Sequence, residues 1–326
     1  VSEHVQAYSA RTTGPAALFG RLASLVRYRF FLYAGLLPYL LGAAWSWAVL
    51  GVFDAGLFWT GLGGILLSVV GVEAFNEYFD SRMGTDRVFD PEDTPAMSHA
   101  VLWLGVAAFA CALAVGLYLA WLTGWPILLY AGLGGLAAAF YVAPPIRFAY
   151  RGLGETVIAL SYGPLMVLGS LHLHAHSLVT DQGPGADQSL GAGVIAPALL
   201  ASLVPGLMIM ALAVTNAIPD FHQDRLVGKR NLVVRLGRQR AVWLYNGLAA
   251  LALLVVVLGV VLGAFPWPTL AALAAAPLVG QSLHRARDTW KTPRAFLPAV
   301  RAIVRGYLVA TVLFTLGLLS QPWLAG

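Results

Sequence analysis

The chain has 326 residues, 59% of them hydrophobic and only 11% charged, with a mean hydropathy of +0.76. An average soluble domain carries roughly 25% charged residues, so this composition excludes a soluble globular or disordered protein and indicates an integral membrane protein. The formal net charge of +5 does not point to nucleic acid, because the basic residues are scattered over short segments and form no basic domain.

In chain order, residues 1–29 read as a cytosolic N-terminal arm without an apolar core of signal-peptide form. Nine predominantly apolar stretches follow, each of roughly the 20 residues that cross a hydrocarbon core as a helix. They run approximately over 30–50, 57–76, 98–120, 126–143, 153–174, 192–217, 241–264, 267–283 and 302–324. Pro126, Pro164, Pro205 and Pro277 fall inside spans or at their lips, where packed neighbours re-satisfy the freed backbone groups.

All 20 Lys and Arg lie in the N-terminal arm, in the second, fourth, sixth and eighth gaps between spans, or in the first turn of the last span. Basic residues mark the cytosolic side. The N-terminus and the even gaps are therefore expected in the cytosol, with anionic lipid as their partner, and the C-terminus outside the inner (cytoplasmic) membrane. Cys111, the single cysteine, lies mid-span and offers neither disulfide nor thiolate-metal chemistry.

Twelve of the 15 acidic residues lie on the cytosolic side or in the cytosolic half of a span; the exceptions are Asp54, Asp181 and Asp187. Two groups stand where spans meet the cytosol. Asn76 and Asp80 are four apart and share a helix face, and Gly84 can break that helix and return Asp86 toward them. Asn216, Asp220 and Asp224 repeat the four-residue interval at the end of the sixth span. The shared Asn-x-x-x-Asp phrase, 140 residues apart, is a weak internal repeat of two halves, about 30–143 and 153–283, followed by a ninth helix, 302–324. Carboxylates converging at one membrane-embedded site repel one another unless a cation sits among them. Oxygen-rich sites of this kind suit Mg²⁺, which takes one or two carboxylates plus phosphate oxygens, so two clusters suggest two or more Mg²⁺ clamping a diphosphate.

At these residues the chain resembles the UbiA superfamily of intramembrane prenyltransferases, most closely its 1,4-dihydroxy-2-naphthoate polyprenyltransferase branch. The first Asp-rich motif is matched by Asn76-Glu77-Tyr78-Phe79-Asp80-Ser81-Arg82-Met83-Gly84-Thr85-Asp86. The second is matched by Asn216, Asp220, Asp224, Gly228, Lys229, Leu232, Leu236 and Gly237. Between them, YVAPPIRFAYRGLGE (141–155) is similar to the branch's Tyr-x-x-Pro-Pro segment, and GPLMVLGS (163–170) to the Gly-Pro-Leu stretch after it. Three departures stand out: Glu77 replaces the usual Asp, Ile218-Pro219 precedes Asp220 where many relatives have Arg, and Asn231 stands where Thr is common.

The resemblance implies an all-α, nine-helix UbiA-type bundle, a single domain over 30–324, around a central cavity open to the cytosolic side. It also implies Mg²⁺-dependent transfer of a polyprenyl group from its diphosphate to an aromatic acceptor. Asn76, Glu77, Asp80 and Asp86 then form one metal set and Asn216, Asp220 and Asp224 the other. Lys229, Arg82 and Arg147 are the candidates for diphosphate oxygens, with Arg27 and Arg29 within possible reach of the same mouth. Tyr141, Tyr162, Tyr78 and Phe79 are candidates for lining the chamber, where aromatic faces steady an allylic cation. Asp80, Asp220, Lys229 and Tyr141 carry the chemistry. Rival readings are another acceptor such as 4-hydroxybenzoate, a terpene cyclase, or a cation transporter. Glu73 lies on nearly the face of Asn76 as a neighbour of the site or of a facing span. The alternating His172, His174 and His176 diverge around a helix, across the membrane from the acids, and are not expected to join catalysis.

Overall fold

The structure, a computed structural model, describes residues 35–83, 98–180 and 190–320. Among these it is helical throughout, with no strand. Six helices are long and apolar enough to cross a membrane, and two shorter apolar helices accompany them. In chain order the α-helices of the described residues are α1 (Leu37–Trp45, continued by a wider turn over Ser46–Leu50), α2 (Ala55–Met83), α3 (His99–Thr123), α4 (Pro126–Ala139), α5 (Gly154–Leu160), α6 (Met166–Thr180), α7 (Ala192–Ala217), α8 (Phe221–Leu226), α9 (Leu232–Leu236), α10 (Arg238–Val261), α11 (Ala276–Thr289) and α12 (Pro293–Leu319).

Several predicted spans are interrupted where a proline removes a backbone donor. A wider helical turn over Ser161–Leu165 contains Pro164 and joins α5 to α6 into one membrane-length element. The segment predicted at 267–283 is a tight 3₁₀ helix over Trp267–Ala275 that runs into α11. At the end of α7, Pro219 cannot donate to the preceding turn, and the chain passes through a short turn before α8.

With no hydrophobic drive between helices inside lipid, close packing and small residues hold such a bundle together. The most buried of the long helices is α7, which packs against α5, α10 and α12. Close approach is explicit at Gly163, where an added Cβ would lie 2.9 Å from both the Ser202 carbonyl oxygen and Gly206 Cα. One core joins α7, α10, α11 and α12 through Met208, Tyr245, Val279, Phe296 and Tyr307. A second, around Trp45, Leu171, Phe265 and Phe314, ties α1 and α6 to the far end of α12. Helix α2 pairs with α3 and also touches α4 and α6, leaving space between these four. Its 29 residues span about 44 Å at 1.5 Å per residue. A hydrocarbon core is about 30 Å thick, so α2 is long enough to cross it, and Asn76 to Asp80 lie toward its C-terminal end.

Candidate active site

The space between α2, α3, α4 and α5–α6 is a cavity of about 1020 Å³. Its polar end is built by chain segments far apart in sequence. From the last turns of α2 come Asn76, Glu77 and Asp80, with Glu73 one turn earlier on the same face. From the end of α7 and from α8 come Asn216, Asp220 and Asp224, joined by Lys229 and Asn231 from the α8–α9 connection. Tyr141 enters from the α4–α5 connection, Glu155 from the first turn of α5, and Tyr162 from the widened turn. The stripe at 216, 220 and 224 thus faces one cavity, although Pro219 breaks the helix between its first two members.

Asp224 is the most enclosed carboxylate of the second group, at 4% exposure. Lys229 Nζ lies 3.5 Å from its Oδ1, and Asn231 Nδ2 donates to its Oδ2 at 2.6 Å. Burial pushes the Asp224 carboxyl above the usual carboxylate range and the charge of Asp220 adds to this, while Lys229 and Asn231 oppose it. Asn231 does a second job: its Oδ1 accepts from Val234 N at 2.9 Å as the N-cap of α9. The Asn-for-Thr departure at this position supplies both an acceptor for the helix and an amide donor for Asp224.

On the other side, Tyr150 donates from its hydroxyl to Asp80 Oδ1 at 3.1 Å. Asn76 Oδ1 is buried without a hydrogen-bond partner among the described residues, an orphan acceptor suited to a cation. Burial, with the charges of Glu155, Asp80 and Asp224 adding, raises Tyr141 well above the ordinary tyrosine range, so its hydroxyl stays protonated.

The donors are oxygen-rich, drawn from two helix ends, and include that orphan amide oxygen. No three His, Cys, Asp or Glu side chains among the described residues stand close enough to hold a metal by themselves. Such a set fits Mg²⁺, which keeps waters and completes its shell with substrate phosphates in place of an all-protein cage.

Other expected residues are placed elsewhere. Arg82 is exposed, with its guanidinium 4.5 Å from the Tyr78 ring centroid and Nη2 3.3 Å from His99 Nε2. Neither it nor Arg147, which lies 5.9 Å from the Tyr150 ring centroid, lines the cavity. Tyr78 and Phe79 are also absent from the wall; Tyr78 packs toward α3, its hydroxyl 3.1 Å from His99 Nδ1. Asp86, Arg27 and Arg29 lie outside the described residues. At the far end of α6, His172 and His174 are buried; His174 stacks on Phe53 and accepts from Asp54 N at 3.2 Å.

Away from the acids the walls are apolar or small. Along α2 they run from Asp80 back to Gly61, about 28 Å of helix. Leu119, Ile127, Leu173 and Tyr39 lie toward the other end.

The model of the UbiA prenyltransferase family matches residues 35–304. The chain belongs to this family. A 1,4-dihydroxy-2-naphthoate octaprenyltransferase of Escherichia coli is 32% identical over 61% of this chain, the aligned part being 59% of that enzyme. One from Mycobacterium tuberculosis is 29% identical over 76% of this chain and 80% of that enzyme. Among solved structures, a UbiA homologue from Archaeoglobus fulgidus bound to DMAPP and Mg²⁺ superposes with a TM-score of 0.56 at 16% identity, covering 88% of this chain and 98% of that one. At that identity the likeness is one of fold. Sequence reasoning had not assigned Tyr150, Glu155 or Asn231 to this UbiA site. Two signals were available: Glu155 is a carboxylate at the mouth of an otherwise apolar span, and Asn231 departs from the motif around it.

Proposed function

We propose that this UbiA protein transfers a polyprenyl group from its diphosphate to an aromatic acceptor, 1,4-dihydroxy-2-naphthoate, in menaquinone biosynthesis. The observation that carries this reading is the two-part cavity, with paired acidic groups and Lys229 at one end and a long apolar wall behind them. The names of the curated relatives supply the acceptor, and the solved homologue bound to DMAPP and Mg²⁺ supports a prenyl diphosphate and Mg²⁺ as ligands.

In this reading Asn76, Glu77, Asp80 and Asp86 hold one Mg²⁺, and Asn216, Asp220 and Asp224 another. Bound there, Mg²⁺ supplies positive charge where the diphosphate accumulates negative charge as it leaves. Lys229, held beside Asp224, turns its ammonium to the diphosphate oxygens, and Tyr141 donates from its protonated hydroxyl. Arg82 and Arg147 serve the diphosphate only by moving from the positions described above. The allylic carbon–oxygen bond breaks, and a carbon–carbon bond forms to the acceptor ring at the carbon that loses its carboxylate as carbon dioxide. The walls beyond Glu73 and Tyr162 exclude water from the allylic centre and house the tail.

The same reading places nine spans in the inner membrane in two pseudo-repeated halves plus a ninth helix, with the cavity mouth and N-terminus cytosolic. Segregation of all 20 basic residues supports that orientation. The test is incubation of the purified protein with a prenyl diphosphate and Mg²⁺, with and without dihydroxynaphthoate. Prenylated naphthoquinol formed only with the acceptor is expected. A cyclic hydrocarbon formed without it, or ion flux in liposomes that Asp80→Ala and Asp220→Ala abolish while transfer persists, would overturn the proposal.

A further inference from the structure

The two acidic groups come from segments 140 residues apart, and a diphosphate clamp works only if their separation is fixed. The α4–α5 connection touches both. Tyr150 holds Asp80 through its hydroxyl at 3.1 Å, while its carbonyl accepts from Arg230 N at 3.3 Å, immediately after Lys229. Arg151 follows, its carbonyl accepting from Arg235 Nη2 at 2.7 Å. Four residues later, Glu155 Oε1 accepts from Leu232 N at 3.0 Å. That donor belongs to the first turn of α9, whose N-cap Asn231 holds Asp224. Glu155 is 4% exposed, and its Oε2 is sealed from solvent without a hydrogen-bond partner among the described residues. Burying a carboxylate so completely is costly, and this one accepts from the element that carries Asn231.

We propose that Tyr150 and Glu155 are positioning residues, the two ends of a brace that sets the distance between the Asp80 group and the Asp224–Lys229 group. Tyr150, which is not in the cavity wall, acts through Asp80, and Glu155, which is, acts through α9, Asn231 and Asp224. The inference rests on the metal and diphosphate reading of the site given above.

The test uses the full chain in detergent, with Mn²⁺ and inorganic diphosphate as probes. Bound Mn²⁺ is read by electron paramagnetic resonance, and separate KM values are measured for geranylgeranyl diphosphate and for dihydroxynaphthoate. Tyr150→Phe and Glu155→Ala are each expected to weaken Mn²⁺–diphosphate binding and raise the diphosphate KM about tenfold, the weight of one hydrogen bond to a charged group. The acceptor KM is expected to stay within about twofold, since a hydrogen bond to the metal-side groups contributes to diphosphate binding alone. Glu155→Gln, which keeps an oxygen for Leu232 N, is expected to restore most of the loss, whereas a general defect of folding would not be rescued. Wild-type binding in both mutants, a Glu155→Gln variant as weak as Glu155→Ala, or the two KM values rising together would overturn the brace. A wild-type protein that does not take up Mn²⁺ with diphosphate would instead overturn the function on which it rests.

Discussion

Replacing Asn231 separates structural from electrostatic support of the second acidic group. In the native chain this buried amide caps α9 through Val234 N at 2.9 Å and donates to Asp224 Oδ2 at 2.6 Å. Losing an N-cap costs about 0.5–2 kcal/mol, and losing a hydrogen bond to a buried charge about 1.5–3 kcal/mol. Asn231→Ala forfeits both and is expected to destabilise the protein by about 2–5 kcal/mol on summing those terms, with Asp224 drawn toward Lys229. Asn231→Thr keeps the cap with a shorter side chain and is expected to fall between Ala and the native residue. Asn231→Asp also keeps the cap but sets a carboxylate against Asp224, and is expected to be the least stable unless Mg²⁺ and diphosphate are present. Unfolding in detergent, followed with and without Mg²⁺ and diphosphate, gives the order, and prenyl transfer under the same conditions should follow it. An Asn231→Asp protein as stable as the native one, or a Thr variant no better than Ala, would refute the assignment of two separate bonds to this side chain.

Tyr141→Phe is expected to lower turnover about tenfold, the scale of one donor to a charged oxygen, without moving the pH–rate profile. Burial and neighbouring carboxylates keep the hydroxyl protonated across the working range, so a profile whose basic limb disappears in the variant would contradict this. Gly163→Leu drives a side chain into the Ser202 carbonyl and Gly206 and is expected to abolish stable expression, while Gly132→Ala, which points into open space, should leave thermal unfolding unchanged. His174→Leu removes the acceptor for Asp54 N and should lower stability by about 1 kcal/mol while prenyl transfer persists. Complete loss of transfer with an intact fold would show that the outer histidines belong to the chemistry.

Much of this protein is legible along the chain because its solvent is lipid. A hydrocarbon layer admits uncharged helical segments of fixed length, so hydropathy alone announces an all-helical membrane protein. Each half of the acidic site also lies within one contiguous motif, where four-residue spacing places Asn76 with Asp80 on one helical face. The same locality explains what could not be read. Arg82 sits two residues from Asp80, yet helical geometry turns it to Tyr78 and His99 on α3, away from the cavity. Pro219 breaks a stripe whose spacing suggested continuous helix, and the packing of α7 against its neighbours returns Asp220 and Asp224 to the cavity.

The amino-acid sequence by itself therefore determines the membrane class, the segregation of charge and the two acidic motifs, because each is a property of composition or of helical period. Tertiary structure alone decides that the motifs share one cavity, that its other end is a long apolar chamber, and that Tyr150, Glu155 and Asn231 support the acids. Those relations depend on contacts between residues 7 to 77 positions apart, and such distances carry no periodic signal in a chain.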